Sequence, residues 1–133
     1  MESQTEIRPA SRFLVWTGRV LSTLLALALL MGSSFAILQK PFVIDGMQKY
    51  GYPASVVMPI GIAEAVGALL YLIPRTSVLG AILLTAYMGG ATATHARIND
   101  PKFIVPIVIG VLVWALLLLR EPRLRSLLPL RST

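Results

Sequence analysis

The chain has 133 residues, of which 56% are hydrophobic and 14% charged, and it contains no cysteine. Soluble globular chains carry about 25% charged residues, so the composition argues against a soluble domain. The absence of cysteine excludes disulfides, thiolate metal sites and cysteine nucleophiles. The net charge of +6 comes from basic residues that flank apolar runs, as in membrane orientation signals, and no soluble basic module suggests nucleic-acid binding.

The apolar residues are concentrated in four runs, each close to the roughly 20 residues that a helix needs to cross a bilayer. The predicted spans cover about 14–38, 54–73, 77–96 and 103–119. Only Pro74 to Thr76 separate the second run from the third, and Asn99 to Pro101 make a similar turn before the fourth. The sequence therefore predicts one domain over residues 1–133: an all-α, integral membrane four-helix bundle of up-and-down topology.

The start of the chain has a second interpretation, because residues 1–36 resemble a signal peptide. An apolar core leads to small residues at Ser34 and Ala36, the pattern of a cleavage site. The apolar run continues beyond Ala36 and the leader contains glutamates, which favours an uncleaved first span. An N-terminal epitope tag that persists in the membrane fraction would exclude cleavage.

The one sizeable loop lies between the first two spans. Apolar residues recur at helical spacing over about 41–50, with polar residues between them, and Gly51-Tyr52-Pro53 follows. This pattern predicts a short amphipathic helix in the membrane interface. Its position would also let it cap the mouth of the bundle.

Orientation follows from the distribution of lysine and arginine. The side that carries both termini holds eight of these residues, and the opposite side holds four. Both termini are therefore predicted to be cytoplasmic, with the Arg120–Arg125 tail lying on anionic lipid or acting as a simple topology anchor. The eight are Arg8, Arg12, Arg19, Arg75, Arg120, Arg123, Arg125 and Arg131, and the four are Lys40, Lys49, Arg97 and Lys102.

Glu64 is the one acidic residue inside a predicted span. A charged side chain at the centre of a bilayer costs roughly 2.5–3.5 kcal/mol, so such residues are functional candidates by default. Since a helix rises about 1.5 Å per residue, Glu64 lies roughly 15 Å below the start of its span. The same depth in the third and fourth spans is reached at Tyr87 and Trp114, which predicts a midplane cluster of these three side chains.

Charged partners for Glu64 are less favoured. Arg19 lies at the far end of the first span, and His95 is offset from the level of Tyr87 by about 12 Å. A Glu64–His95 pair remains an alternative if the helices are tilted. His95 stands alone, without a second imidazole or a thiolate, so neither metal nor haem ligation is expected. Glu64 is either an interhelical hydrogen-bonding group, a proton relay, or a polar anchor for an amphiphile such as a quinone or lipid.

Small residues recur at four-residue spacing in the second and third spans, where they allow helix backbones to approach closely. We expect them to pack these two spans together, with a cavity or a dimer seam as the alternative. The expected packing positions are Gly61, Gly67, Gly89 and Gly90.

Several segments resemble the DoxX-like membrane proteins, over about residues 14–125. They are Lys40 to Pro53, Gly61 to Ala65, Leu72 to Arg75, Leu79 to Leu83, Tyr87 to His95, Val113-Trp114 and Leu119-Arg120. The resemblance implies a small four-span protein of the bacterial inner membrane. It also implies a link to membrane redox processes, since the family takes its name from a quinone-linked sulfur-oxidising oxidoreductase that contains a related subunit. Glu64 and His95 match polar positions of the resembling segments.

The sequence contains no phosphate-binding glycine loop, nucleophile elbow or paired carboxylates, so we do not expect an enzyme. The leading hypothesis is a non-catalytic subunit or binding protein for a quinone or lipid, with Glu64, Tyr87, Trp114 and His95 as ligand-binding candidates. No cofactor other than a possible quinone is expected. The alternatives are an assembly partner of a larger redox complex or homo-oligomer and, ranked last, a proton-coupled transporter.

Overall fold

The computed structural model describes residues 11–127, which are helical throughout apart from short turns. The four long helices are α1 (Arg12–Ile37), α3 (Val57–Leu72), α4 (Ser77–Arg97) and α5 (Ile104–Arg120), and the short α2 (Pro41–Lys49) follows α1. Single 3-10 turns precede α3 at Ala54–Val56 and α5 at Pro101–Phe103, and a longer 3-10 helix, Pro122–Leu127, follows α5. These bounds agree closely with the predicted spans and confirm the all-α four-helix bundle.

The turns have recognisable local causes. Gln39 and Asn99 adopt positive φ angles of 52° and 56° directly after α1 and α4, a left-handed conformation that commonly ends helices. Gly51 takes φ 87° after α2, where the missing side chain makes this conformation inexpensive. Asp100 caps the turn before α5, because its carboxylate accepts a hydrogen bond from the main-chain N–H of Lys102 at 3.0 Å.

The distribution of side chains is that of a membrane protein. Large apolar residues cover the outside of the long helices, including Leu24, Met31 and Val111, which are between 57% and 63% exposed. The interior instead holds many small residues, among them the fully buried Ala26, Ala68 and Ala81. All four long helices, with α3 and α5 taken together with the 3-10 turns that precede them, are long and apolar enough to span a membrane.

Each long helix packs against two others, so that α1, α3, α4 and α5 follow one another around the bundle. The α2 end of the bundle holds α2 and the turn at Asn99, and the opposite, terminal end holds the start of α1 and the end of α5. Glycines permit the closest approaches. A Cβ on Gly18 would lie 2.6 Å from the main-chain nitrogen of Arg120, and one on Gly80 would lie 2.2 Å from that of Tyr71.

The predicted packing glycines divide into two pairs. Gly61 packs against Ala36 of α1, not against α4 as expected, and Gly67 contacts Leu84 of α4. At Gly89 and Gly90 a Cβ would meet nothing within 4 Å among the described residues, so the prediction that they pack spans two and three together is wrong. Both glycines are exposed on the flank of α4.

Arg120 closes the terminal end of the bundle. Only 6% of the residue is exposed, and its guanidinium donates to the Ser22 hydroxyl at 3.1 Å and to the main-chain oxygen of Tyr71. The charge lies over the Tyr71 ring, 4.7 Å from its centroid, and the buried Tyr71 hydroxyl donates to the main-chain oxygen of Val113 at 2.7 Å. Arg120 therefore joins α1, α3 and α5 from inside, and its placement among lipid-facing tail residues is wrong. Arg8 and Arg131 lie outside the described residues.

Candidate functional site

Glu64 and Tyr87 meet between α3 and α4. The Tyr87 hydroxyl donates to Oε2 of Glu64 at 3.2 Å, and both residues are half-buried. This contact was expected from their common depth in the membrane. Among residues 11–127 no cation forms an ion pair with Glu64, so a tyrosine hydroxyl is the polar partner that this carboxyl group has within the bundle.

Trp114 does not join this pair. Its indole N–H donates to the hydroxyl of Thr85 at 2.7 Å, in a separate groove of about 710 Å³ between α4 and α5 that Gly89 also lines. The prediction that Trp114 joins Glu64 and Tyr87 in one cluster is therefore wrong. Trp114 has the right depth but lies on the other side of α4.

His95 takes part in a second polar cluster at the α2 end, not in a pair with Glu64. Its Nδ1 lies 2.9 Å from Oδ2 of Asp100, and the Tyr50 hydroxyl donates to the same oxygen at 2.9 Å. The rings of Tyr50 and His95 are in edge contact, with centroids 4.7 Å apart. Arg97 donates to the main-chain oxygen of Tyr50. The cluster thus attaches the end of α2 to the end of α4.

The electrostatics of this cluster favour an ionised Asp100 and a neutral Tyr50. The main-chain N–H of Lys102 and then the His95 ring lower the pKa of Asp100 to about 2. Tyr50 has a raised pKa, chiefly because its hydroxyl donates to Asp100. Since an ionised carboxylate only accepts hydrogen bonds, the His95 Nδ1 must carry a proton.

A cleft connects the two clusters along α4. It has a volume of about 360 Å³ and is lined from α3, α4 and the loop segment around α2. At the α2 end it is bordered by Tyr50, Tyr52 and His95, and Tyr87 forms its deep end. Tyr52 shares a hydrogen bond of 2.6 Å with the Thr94 hydroxyl. The remaining lining residues are Met47, Ile60, Ala86, Gly90, Ala91 and Thr94.

Glu64 is not among the residues that line this cleft. It lies behind Tyr87 and holds the hydroxyl of that residue. The centre of the candidate site is therefore closer to the α2 end of the bundle than its predicted position at the level of Glu64. Ala86 and Gly90 are exposed, so the cleft opens on the flank of the bundle, where a spanning helix meets lipid.

The comparisons with known proteins agree with this architecture. A family model, described as the DoxX-like family, matches residues 20–116. The chain belongs to the DoxX-like family. Neither a curated protein nor a solved structure shows a significant match. The matched range of this DoxX-like protein includes α2, the cleft and both polar clusters.

Sequence reasoning missed Tyr50, Tyr52 and Asp100 as parts of the site. One signal was present: Asp100 precedes a proline in a turn only five residues after the single histidine, so a His–Asp contact was within reach. Tyr50 and Tyr52 carried no comparable signal, because their contacts depend on how α2 folds back over the bundle. Chemically, the cleft offers hydroxyl and imidazole groups at the α2 end, mostly apolar walls below them, and at its deep end the Tyr87 hydroxyl, which is bonded to Glu64.

Proposed function

We propose that this multi-pass membrane protein binds a membrane-soluble amphiphile, a quinone or a lipid, in the cleft between α3 and α4. The observation that carries the proposal is the cleft itself, with its volume of about 360 Å³. Small-molecule sites are concave spaces of roughly 300–1,000 Å³ with mostly apolar walls and a few placed polar groups. The role is that of a binding subunit and not of a catalyst.

The arrangement of the lining favours an amphiphile over a water-soluble ligand. Polar side chains stand at the α2 end, where Tyr50, Tyr52 and His95 lie, and aliphatic or small residues follow toward the middle of the bilayer. A head group would be held at the first end while an apolar body lies along α4. The exposed flank at Ala86 and Gly90 gives a hydrophobic molecule a route from the lipid.

Two neighbouring glycines provide a matched test. Gly90 lines the cleft and Gly89 lines the groove on the other side of α4. A Cβ at either position meets nothing within 4 Å among residues 11–127, so both side chains start in open space; Gly90→Leu should fill the cleft and Gly89→Leu should leave it open.

The experiment is to extract the wild type and both variants with their surrounding lipid and identify the retained quinones and lipids by mass spectrometry. We expect one specific amphiphile to be enriched in the wild type and in Gly89→Leu and to be depleted in Gly90→Leu. Identical, generic lipid profiles in all three proteins would contradict the proposal.

A second pair of variants tests the deep end. Tyr87 lines the cleft whereas Glu64 stands behind it, so Tyr87→Ala, which removes the ring at the deep end, should reduce retention of the amphiphile directly. Glu64→Gln keeps a hydrogen-bond acceptor for Tyr87 and should have the smaller effect. If Glu64→Gln reduces retention more than the Tyr87 variant does, the binding site lies at Glu64.

A second candidate function is assembly with another membrane protein, such as a redox partner, or with a second copy of the chain. The groove between α4 and α5, with the exposed Gly89 on its wall, favours this candidate. Crosslinking in membranes distinguishes it: a crosslinked partner lost in Gly89→Leu but kept in Gly90→Leu would support assembly. For the cellular setting we propose the bacterial inner membrane with both termini in the cytoplasm.

A further inference from the structure

The imidazole of His95 has one nitrogen engaged and one available. Nδ1 is held by Oδ2 of Asp100 at 2.9 Å. No described residue forms a hydrogen bond with Nε2, and among residues 11–127 no buried side-chain nitrogen or oxygen lacks a partner. Nε2 is therefore accessible, on a residue that borders the cleft.

The tautomer of His95 follows from its neighbour. Asp100 also accepts from the Tyr50 hydroxyl and from the main-chain N–H of Lys102, so three donors converge on one carboxylate. An ionised carboxylate has no proton to give to Nδ1. The proton of the neutral ring is therefore on Nδ1, and Nε2 has a free lone pair, since the tautomer is set by the bond that the other nitrogen makes.

We propose that Nε2 of His95 accepts a hydrogen bond from an aromatic hydroxyl on the head group of the ligand, so that the site selects phenol-type amphiphiles, including the reduced quinol form, over ligands that carry only acceptor oxygens. This inference rests on the proposed function, because it places a ligand in the same cleft. Asp100 acts as a positioning residue that fixes the tautomer without touching the ligand.

The aromatic part of the proposal comes from the walls. Tyr50 and His95 are already in edge contact at 4.7 Å between centroids, and the rings of Tyr52 and Tyr87 belong to the same lining. Aromatic rings favour edge and offset contacts with one another. A flat head group packed against these rings from the cleft would present its hydroxyl to the imidazole.

Two probes that differ in one group test the idea: 4-nonylphenol, which donates a hydrogen bond, and 4-nonylanisole, its methyl ether, which cannot. The chain contains a single histidine, so ¹⁵N-histidine labelling of a protein purified without a histidine tag gives one pair of ring signals. Before any probe is added, the spectrum of the neutral ring should show a protonated Nδ1 and an unprotonated Nε2. Observing the opposite tautomer would overturn the inference.

We expect the phenol to shift the Nε2 signal and to bind roughly tenfold more tightly than the ether, the range of one net hydrogen bond. Asp100→Asn should reduce this preference, because an amide can donate to Nδ1 and thereby favour the other tautomer. Asparagine is also a good capping residue, so the turn before α5 should be retained. Asp45→Asn on α2 is the matched control for removing one carboxylate charge and should leave the preference unchanged.

His95→Phe keeps an aromatic ring but removes the acceptor, and it should bind the two probes equally. If the wild type binds both probes equally and Gly90→Leu weakens the binding of both, the role of Nε2 is refuted while the binding cleft is retained. Binding that Gly90→Leu does not affect would refute the cleft itself. A phenol preference that survives Gly90→Leu would place Nε2 outside the cleft and also overturn the inference.

Discussion

Gly80 is the position where one added methyl group should do most damage. An ideal Cβ at Gly80 would lie 2.2 Å from the main-chain nitrogen of Tyr71 and 2.6 Å from its Cα, both backbone atoms that no rotamer change can move. Ordinary contact begins near 3.4 Å, so α3 and α4 would have to separate by about 1.2 Å at this point.

The size of the effect follows from what lies at that contact. Tyr71, Ala81 and Leu84 are fully buried there, and a radial gap of 0.5–1 Å already forfeits about a quarter to a half of the dispersion attraction between packed atoms. We therefore expect Gly80→Ala to lower the free energy of unfolding by about 3 kcal/mol, the upper part of the range for overpacked interiors.

Gly89→Ala is the control with the same chemical change. Its Cβ would meet nothing within 4 Å in the described part of the chain, and replacing a glycine inside a helix gains up to about 1 kcal/mol in helix propensity. The assay is denaturation by SDS in mixed micelles, followed by circular dichroism and tryptophan fluorescence. If Gly80→Ala and Gly89→Ala unfold at the same SDS fraction, the close approach of α3 and α4 at Gly80 is refuted.

Three further predictions concern the ends and the interior of the bundle. Asp100 has a pKa lowered to about 2 and Tyr50 a raised pKa, so the hydrogen bond between them should be intact from about pH 4 to pH 10. It should be lost as the pH falls toward 2 or rises above 10. The chemical shifts of residues 50–53 would report this loss. In a chain without native cysteine, Asp45→Cys should react with an impermeant thiol reagent in intact cells and Ser126→Cys only after lysis; the opposite result would refute the orientation. Tyr71→Phe should lower the free energy of unfolding by about 1 kcal/mol in the SDS assay, and no change would mean that its hydroxyl bond to α5 contributes nothing.

The sequence predicted the depth of a side chain in the membrane better than the direction in which that side chain points. Because residues in a straight helix advance by a constant rise, counting from the span ends placed Tyr87 at the level of Glu64, and the two side chains are in hydrogen-bond contact. The same count placed Trp114 at this level, but it bonds to Thr85 in another groove. The depth of a side chain depends on its residue number along the helix. The direction of a side chain depends on how the helix is rotated about its axis, and counting residues gives no information on that rotation.

Helix rotation was hard to predict for a physical reason. In a soluble bundle the polar face identifies the outside, but lipid is about as apolar as a packed interior. A glycine at an interhelical contact, such as Gly61, and a glycine on the flank, such as Gly90, therefore stand in similar apolar surroundings in the sequence. Only packing against another backbone distinguishes them, and that information is absent from the local pattern.

Arg120 illustrates the same limit for charge. Near the end of a span an arginine side chain ordinarily extends to the membrane interface. The count of basic residues that predicts the orientation of the chain treats Arg120 as such a residue. In the structure its guanidinium turns inward to Ser22 and Tyr71. The approach of α1 that makes this possible depends on Gly18, where a Cβ would lie 2.6 Å from the main chain of Arg120. Gly18 in α1 thus determines whether the charge of Arg120 in α5 is buried.

The cleft has a simple origin in the order of residues along α4. Tyr87 and His95 are eight positions apart, about two turns or 12 Å, and therefore lie on similar sides of the helix. Between them Gly90 and Ala91 supply almost no side-chain volume, so the space between the two polar groups is left open. Large residues at these two positions would bury the polar groups under a packed surface. A stripe that is polar at both ends and small in the middle thus defines both the length of the site and the position, Gly90, at which one substitution closes it.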